Sequence, residues 1–255
     1  AQKYLQRQLI HYAGDIETQA YDEGVDVDEL MQHAEGELFQ LSQGNMKQDY
    51  TQIDPVIKDA VDILQRAAQN KGGLTGIPTG YQQMDDMTSG WQPSDLVIIA
   101  GRPAMGKTSF ALSIAKNVAV DHGVPIGFFS LEMNNVQLVN RLISNVCEIS
   151  GKKILNGQLD PSEWERLDKK IRSLTGAPIY IDDTPGLSVF ELRTKARRLV
   201  REKGVKLLMI DYLQLMNANG MKFGSRQEEV STISRSLKGL AKELNIPVLA
   251  LSQLS

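Results

Sequence analysis

The residues most able to do chemistry in this sequence run from Gly101 to Thr108 and fit the phosphate-binding pattern G-x-x-x-x-G-K-[ST]. An apolar run at 96–100 precedes them, and a run with helical spacing follows. A loop there lets backbone N–H groups surround phosphate oxygens, and the start of the following helix adds positive potential. We therefore predict that Lys107 binds the terminal phosphates of a nucleotide and that Thr108 holds magnesium. The alternative is a glycine turn that binds nothing. The predicted contacts of this loop are Gly101, Arg102, Pro103, Ala104, Met105, Gly106, Lys107, Thr108 and Ser109.

Two carboxylates follow apolar runs that are typical of buried strands. Asp211 follows the run 205–210, and a strand-end aspartate supplies the second magnesium contact in this class of nucleotide-binding fold. A helix or turn cap is the alternative. Glu132 follows the run 126–131, which we expect to lie beside the strand that leads into the phosphate loop. The residue after Asp211 is Tyr212 and not a glutamate, so the base that activates water must come from elsewhere in the sequence. Glu132 is the best candidate for this base. The competing interpretation is that Glu132 is a solvated turn carboxylate.

Gln253 closes another apolar run and is a candidate sensor of the terminal phosphate. An amide can hydrogen-bond both a phosphate oxygen and a partner loop, so its position can change with the nucleotide state. Asp182 and Asp183 also follow an apolar run, but they precede Thr184-Pro185-Gly186, and turn chemistry explains them. The predicted helix 188–203 is rich in Arg and Lys. A contact with nucleic acid is possible there, and a solvated or intersubunit face is the more ordinary explanation.

From residue 72 onward, strand-like and helical runs alternate, which predicts an α/β domain with a mainly parallel sheet and helices on both faces. Ligands bind at the carboxyl ends of such strands, where the candidate site residues lie. The predicted strands are 96–100, 126–131, 178–181, 205–210 and 247–251.

Residues 1–71 predict three helices at the start of the chain. The first spans 1–21, the second begins at Asp26 with Glu29 reaching back to cap it, and the third opens at Asp54-Pro55. They are too few and too polar to form a core alone. We expect them to dock either on the larger domain or on a neighbouring copy.

Composition sets limits on the partners and on the compartment. Residues 1–50 contain ten acidic and three basic residues, whereas residues 51–255 contain 21 and 25, an excess that permits a polyanionic partner without requiring one. The single cysteine, Cys147, excludes an internal disulfide, and its apolar neighbours predict an inert buried thiol. We expect a reducing cytoplasm and no membrane partner, because no apolar run approaches the length of a membrane span.

The ordered motifs resemble those of the bacterial DnaB-type replicative helicases, a family of hexameric RecA-like motors. The resemblance covers nearly everything from residue 76 onward. Besides the phosphate loop, the matching text is Thr79-Gly80-Tyr81, Met84-Asp85, Thr88-Ser89-Gly90-Trp91, Phe129-Ser130-Leu131-Glu132-Met133, Ile181-Asp182-Asp183-Thr184-Pro185, Ile210-Asp211-Tyr212-Leu213-Gln214-Leu215 and Ala250-Leu251-Ser252-Gln253-Leu254-Ser255.

The resemblance implies a RecA-like P-loop NTPase domain at 72–255, preceded by a helical linker region at 1–71 that docks on an adjacent subunit. It implies ATP hydrolysis with Mg2+, translocation on single-stranded DNA and duplex unwinding. In this reading Lys107 and Thr108 bind phosphate and magnesium, Glu132 is the catalytic base, Asp211 is the second magnesium contact, Gln253 couples nucleotide state to the DNA side, and Arg141 helps to position the nucleotide. A homo-hexamer, a primase and a helicase loader are the implied partners.

Two departures from the family pattern modify this expectation. We expect the family's N-terminal domain to be missing from this sequence, and the family continues beyond Ser255 with DNA-binding loops and an arginine finger. Such a finger contributes about 10³–10⁵-fold in rate, so we expect this chain alone to hydrolyse ATP poorly and to form a ring, a filament or a monomer. Two other functions stay open: a RecA-like ATPase that recombines DNA or remodels protein, and an assembly module whose nucleotide only holds subunits together.

Overall fold

The computed structural model describes residues 2–22, 53–69, 74–216 and 225–254, with scattered positions between 24 and 38. The described positions between 27 and 38 are helical, but Glu29, the predicted capping partner, lies outside the described residues. The chain separates into two compact units. One comprises Ala1–Leu64 with Ala218–Glu229, and the other comprises Gln65–Asn217 with Val230–Ser255.

Two helices precede the sheet. Helix α1 spans Gln2–Ala20, and the hydroxyl of Tyr12 on its buried side donates a hydrogen bond to the carbonyl of Ala34. Helix α2 spans Ile53–Gln69 and carries Asp54 in its first turn, where a negative charge interacts favourably with the helix dipole. One side of α2 is apolar and exposed, namely Ile53, Val56, Ile57, Val61 and Leu64.

The larger unit is built on a five-stranded sheet in which every neighbouring pair is parallel. Its strands are β1 Leu96–Gly101, β2 Ile126–Ser130, β3 Ile179–Asp182, β4 Leu207–Asp211 and β5 Val248–Gln253. Strands β2 and β4 are buried along their whole length, as a parallel sheet covered on both faces requires. The predicted α/β fold with a parallel sheet is confirmed.

The remaining helices lie between and before these strands. They are α3 Gln82–Thr88, α4 Lys107–Lys116, α5 Asn135–Cys147, α6 Gly151–Asn156, α7 Pro161–Thr175, α8 Val189–Lys203 and α9 Arg226–Leu244. Helix α4 continues into a π-helical turn, Asn117–Asp121, and a 3-10 turn, Leu213–Leu215, follows β4. In the described part of the chain, no helix is both long and apolar enough to cross a membrane.

Helices cover both faces of the sheet. Buried residues of α4 and α5, such as Leu112 and Leu138, belong to one cluster with Ile126 and Phe128 of β2. Gly127 points the other way, because successive side chains of a strand alternate between faces. A Cβ at Gly127 would lie 3.2 Å from Leu199 of α8, so α8 covers the second face and approaches closely enough to favour glycine there.

The predicted place of β2 beside β1 is wrong. The strand order is β1-β5-β4-β2-β3, so two strands separate them. Parallel strands are joined by crossover connections, and such a connection can pass over neighbouring strands, so chain order alone does not set the order in the sheet. As a result Ser130 of β2 is in register with Asp211 of β4, and Glu132 follows two residues later.

Cys147 lies at the end of α5 with its thiol fully buried. It forms a small cluster with Val146 and Ile149. Burial raises the pKa of the thiol, so the reactive thiolate is disfavoured. The prediction of an inert buried cysteine agrees with this environment.

Candidate functional site

The phosphate loop joins the end of β1 to the start of α4. Its last glycine, Gly106, caps the helix with φ +85°, and no side chain caps the helix there. A Cβ on Gly106 would meet nothing within 4 Å, so glycine is required for the backbone angle and not for space. The first N–H groups of a helix have no intrahelical acceptor. Without a capping side chain, those of α4 can bind an anion.

Lys107 keeps its ammonium group inside this loop. Its Nζ donates hydrogen bonds to the carbonyl oxygens of Gly101, at 2.9 Å, and Arg102, at 3.2 Å. The positive charge therefore lies within the loop that is predicted to hold phosphates. The loop residues before it are exposed, including Pro103, Ala104 and Met105.

Asp211 connects the end of β4 to the start of α4. It is 1% exposed, and its Oδ2 accepts a hydrogen bond from Thr108 Oγ1 at 2.7 Å across 103 residues of sequence. Burial raises the pKa of Asp211. The Thr108 hydrogen bond opposes this rise, the charge of Glu132 adds to it, and the charges of Lys107 and Arg141 oppose it. The fold thus gathers four other predicted site residues around one carboxylate.

Thr108 and Asp211 are suited to magnesium. This ion prefers oxygen ligands and usually takes one or two from the protein, with waters and substrate phosphates completing its shell. The hydroxyl and the buried carboxylate supply two such oxygens at one place. Among the described residues, no group of three or more His, Cys, Asp or Glu could hold a metal by itself. A site completed by nucleotide phosphates is therefore the arrangement that these residues fit.

The turn that carries Glu132 is fixed by hydrogen bonds on both sides. The buried hydroxyl of Ser130 donates to the Met133 carbonyl at 2.7 Å and accepts from the Met133 N–H at 3.3 Å. The Leu131 N–H donates to the backbone carbonyl of Asp211 at 2.7 Å. These bonds hold an exposed carboxylate beside the Asp211 strand. No role for Ser130 was predicted, because its hydrogen bonds to Met133 exist only once the turn has formed.

A cavity of about 540 Å³ opens beside this turn. It is bordered by α4, by the Glu132 turn and by the polar side of α5, and its volume is within the range of small-molecule sites. Arg141, predicted to position the nucleotide, lines it together with Glu132. The further lining residues are Ser109, Leu112, Met133, Gln137, Asn140, Ser144, Asn145, Gly151 and Leu155.

Gln253 lies at the end of β5, beside the phosphate loop. It is in register with Gly101 of β1, and the next residue, Leu254, donates its N–H to the Gly101 carbonyl at 3.1 Å. Its own side chain is exposed. The side chain of Gln214, which lies in a matching motif but has no predicted role, hydrogen-bonds to the Gln253 backbone.

Asp182 and Asp183 have structural roles at the tip of β3. Asp182 accepts a hydrogen bond from the Thr184 N–H at 3.0 Å, which is the expected turn contact, and pairs with Lys195 at 2.9 Å. Asp183 accepts from the Asn135 N–H at 2.9 Å and so satisfies the first turn of α5. These contacts account for both carboxylates without a ligand.

The basic side chains of α8 are largely paired within the chain. Arg193 and Arg197 both bind the Glu243 carboxylate of α9, and Arg198 pairs with Glu202 at 3.2 Å. The Arg193 and Arg197 pairs tie two helices together. This arrangement favours the structural explanation of the basic residues over a nucleic-acid contact.

The segment before β1 is held by a buried carboxylate. Asp85 is 6% exposed and accepts hydrogen bonds from the N–H groups of Thr79, at 2.8 Å, and Gly80, at 3.2 Å. Asn117, in the π-helical turn after α4, donates to the Thr79 carbonyl at 3.1 Å. A Cβ at Gly80 would come within 2.4 Å of Asn117, which explains the glycine. This motif therefore braces the far end of the phosphate-loop helix.

Comparison with known proteins agrees with this geometry. Residues 76–255 match the family model described as the DnaB-like helicase C terminal domain. The chain is 42% identical over 254 residues to the replicative DNA helicase DnaB of Geobacillus stearothermophilus, covering 100% of this chain and 56% of that protein. The replicative DNA helicase DnaC of Bacillus subtilis (strain 168) has the same identity and coverage. The chain thus spans about half the length of these curated relatives.

Solved structures show the same fold. A structure described as an ATPase domain has a TM-score of 0.73 and 37% identity, over 81% of this chain and 72% of that one. A DnaB-like replicative helicase, whose structure was described with its interactions with primase, has a TM-score of 0.70 and 33% identity, over 100% of this chain and 59% of that one. The sheet is therefore the RecA-like ATPase fold, and the chain belongs to the family of DnaB-like helicases, whose C-terminal domain it matches from residue 76 to residue 255.

Proposed function

We propose that this chain is the ATP-driven motor of a replicative DNA helicase. In this proposal it acts in the cytoplasm and couples ATP hydrolysis to movement along single-stranded DNA and to separation of the duplex. The observation that carries the proposal is the 2.7 Å contact between Thr108 and Asp211, with Lys107 and Glu132 near the same buried carboxylate. Family membership supports the choice of DNA as the track.

The phosphate loop binds the triphosphate in this proposal. The N–H groups at the start of α4 and the Lys107 ammonium bind phosphate oxygens, because both present positive charge in the same loop. Thr108 and Asp211 would hold magnesium, which would neutralise charge on the phosphates. The burial of Asp211 strengthens this electrostatic contact, because little water competes for the carboxylate.

Glu132 is the proposed general base. Its carboxylate is exposed at the edge of the cavity, so a water molecule can reach it, and the Ser130 turn restricts its position. Glu132 would orient this water and accept its proton as the water oxygen bonds to the terminal phosphorus. The bond from that phosphorus to the bridging oxygen would break at the same time, and ADP would leave with this oxygen. Arg141 lines the same cavity and is proposed to position the nucleotide.

Assembly and partners extend the proposal beyond the single chain. We propose that residues 1–71 form a helical linker that docks on the adjacent subunit of a homo-hexamer. The exposed apolar side of α2 supports this, since an unpartnered apolar stripe is costly in water. Primase and a helicase loader are proposed partners of the full-length protein. A structural relative was described with its primase interactions.

The test is ATP turnover by the full-length protein, with and without single-stranded DNA. Lys107→Ala should abolish nucleotide binding, whereas Glu132→Gln should keep binding and lose turnover. Lys169→Ala and Glu165→Gln are matched controls, because both side chains lie exposed on α7. Normal DNA-stimulated turnover in both site variants would refute the proposal.

Strand separation distinguishes the remaining functions. Turnover that responds to DNA without unwinding a forked duplex would point instead to a RecA-like ATPase that recombines DNA or remodels protein. Equal assembly with ATP and with a non-hydrolysable analogue, together with negligible turnover, would point to an assembly module.

A further inference from the structure

Strand β5 extends beyond its pairing with β4. The β4–β5 register runs from Leu208 opposite Val248 to Ile210 opposite Ala250. On its other edge, β5 stays paired with β1 as far as Gln253. The end of β5 is therefore fixed by main-chain pairing on the phosphate-loop side only, within the described strands. The edge facing β4 needs another partner there, because backbone polar groups rarely stay unpaired.

The Gln214 carboxamide is this partner. Its Nε2 donates to Ser252 Oγ at 2.9 Å and to the Gln253 carbonyl at 3.0 Å. Its Oε1 accepts from the Gln253 N–H at 3.1 Å. A side-chain amide offers both a donor and an acceptor, as a peptide group does. The side chain of Gln214 thus continues the ladder of β5 where β4 has ended.

Gln214 lies close in sequence to Asp211, one of the two residues predicted to hold magnesium. It lies three residues after Asp211, in the 3-10 turn Leu213–Leu215, and Leu213 is 2% exposed. Asp211 in turn bonds to Thr108 of the phosphate-loop helix. A short connection therefore runs from the Thr108 hydroxyl to the Gln253 backbone.

We propose that Gln214 is a positioning residue that ties the end of β5 to Asp211, so that the nucleotide state at Thr108 and Asp211 sets the position of Gln253. The inference rests on the proposed function and names the link between the nucleotide site and Gln253. A shift of the Asp211 segment would move the Gln253 peptide with it, because three hydrogen bonds and a short turn join them.

The direct test is amide hydrogen exchange at Gln253 and Leu254 in the full-length protein, with and without a non-hydrolysable ATP analogue. We expect the analogue to change protection in the wild type. In Gln214→Ala the Gln253 amide should exchange about tenfold faster, from the loss of roughly one net hydrogen-bond contribution, and should no longer respond to the analogue. The Leu254 amide should keep its protection, because it donates to the Gly101 carbonyl of β1 and not to Gln214. Gln92→Ala is the matched control, because the Gln92 amide also makes three hydrogen bonds, to Thr75, Ser89 and Gly90, before β1.

A second readout is the ratio of DNA-stimulated to basal ATP turnover in Gln214→Ala, Gln253→Ala and the double variant. Two residues acting through one contact are not additive, so the double variant should lose no more than the more affected single variant. Multiplied losses, an unchanged response at Gln253 in Gln214→Ala, or the same defects in Gln92→Ala would each overturn the inference. If Gln214→Ala does not fold, Gln214→Glu keeps the shape and replaces the Nε2 donor. If amide exchange at Gln253 behaves as expected but DNA does not stimulate ATP turnover, the proposed helicase function is rejected. The link from Asp211 through Gln214 to Gln253 would then still stand.

Discussion

Asp211 is a buried carboxylate, and its burial opposes its ionised form. The pKa of Asp211 is raised above 3.8, so the folded protein binds this proton more tightly than the unfolded chain does. Ionised Asp211 therefore lowers stability at any pH above the raised pKa, and this cost disappears as the pH falls below 3.8. We expect Asp211→Asn to raise the free energy of unfolding by about 1 kcal/mol at neutral pH without magnesium. Urea unfolding at several pH values would show this gain shrinking in acid.

Asp85 provides the control for that experiment. Its two carboxylate oxygens each accept a backbone N–H, and asparagine would keep only one acceptor oxygen. Asp85→Asn should therefore lower stability by about 1–2 kcal/mol. An Asp211→Asn protein that is less stable than wild type at neutral pH would show that the carboxylate is held by interactions stronger than its burial cost.

Ser130 is expected to control the reactivity of Glu132 without touching the substrate. In Ser130→Ala the turn loses the bonds to both polar groups of Met133, and Glu132 becomes less restricted. Misplacement of a catalytic group by 1 Å can cost about 10²-fold in rate, so we expect kcat to fall by about tenfold or more with nucleotide affinity unchanged. Steady-state turnover and nucleotide titration measure the two quantities. Ser173→Ala, which removes an equivalent hydroxyl-to-carbonyl bond on exposed α7, should leave both unchanged.

At the scale of elements, the start of α4 has two roles. It ends the phosphate loop, and its first N–H groups are predicted to bind the phosphates of the nucleotide. Gly106→Ala should cost about 1–2 kcal/mol of stability, because a side chain is strained at φ +85°. It should also reduce nucleotide affinity, because relief of that strain moves the first N–H groups of the helix. Gly157 at the end of α6 has φ +65° and equally open surroundings. Gly157→Ala should therefore lose similar stability and keep full affinity, as thermal unfolding and nucleotide titration would show. Equal affinity loss in both variants would mean that strain alone is responsible.

At the scale of the whole molecule, periodicity and motifs predicted the sheet and its strands, while contacts between distant segments escaped them. Strand β4 was predicted at 205–210 and lies at Leu207–Asp211. This prediction succeeded because an apolar run of that length indicates a buried strand without knowledge of distant contacts. The place of β2 in the sheet was wrong because strand order depends on crossovers. Ser130 and Gln214 lie in the matching motifs, but their roles were not predicted, because the turn at Ser130 and the approach of Gln214 to β5 exist only in the folded chain. The short helix α6 was not predicted, because its six residues are too few to show a helical repeat of apolar side chains.

The exposed apolar face of α2 allows a direct test of the proposed assembly into a hexamer. Ile57 and Val61 lie one turn apart on α2, and their side chains are 51% and 43% exposed. If this face docks on the next subunit, burying the exposed half of each side chain contributes about 0.7–1.5 kcal/mol, which is half of the value for complete burial. Ile57→Asp combined with Val61→Asp should then shift the full-length protein from hexamers to smaller species, as light scattering after size exclusion would measure. Lys58→Asp changes the charge on the same helix without altering its apolar face and should keep the hexamer. Hexamers that persist in the double variant would show that the subunit contact lies elsewhere. If the contact lies on this face, we expect the double variant to lose all of its hexamers, because a closed ring repeats the same weakened contact at every interface.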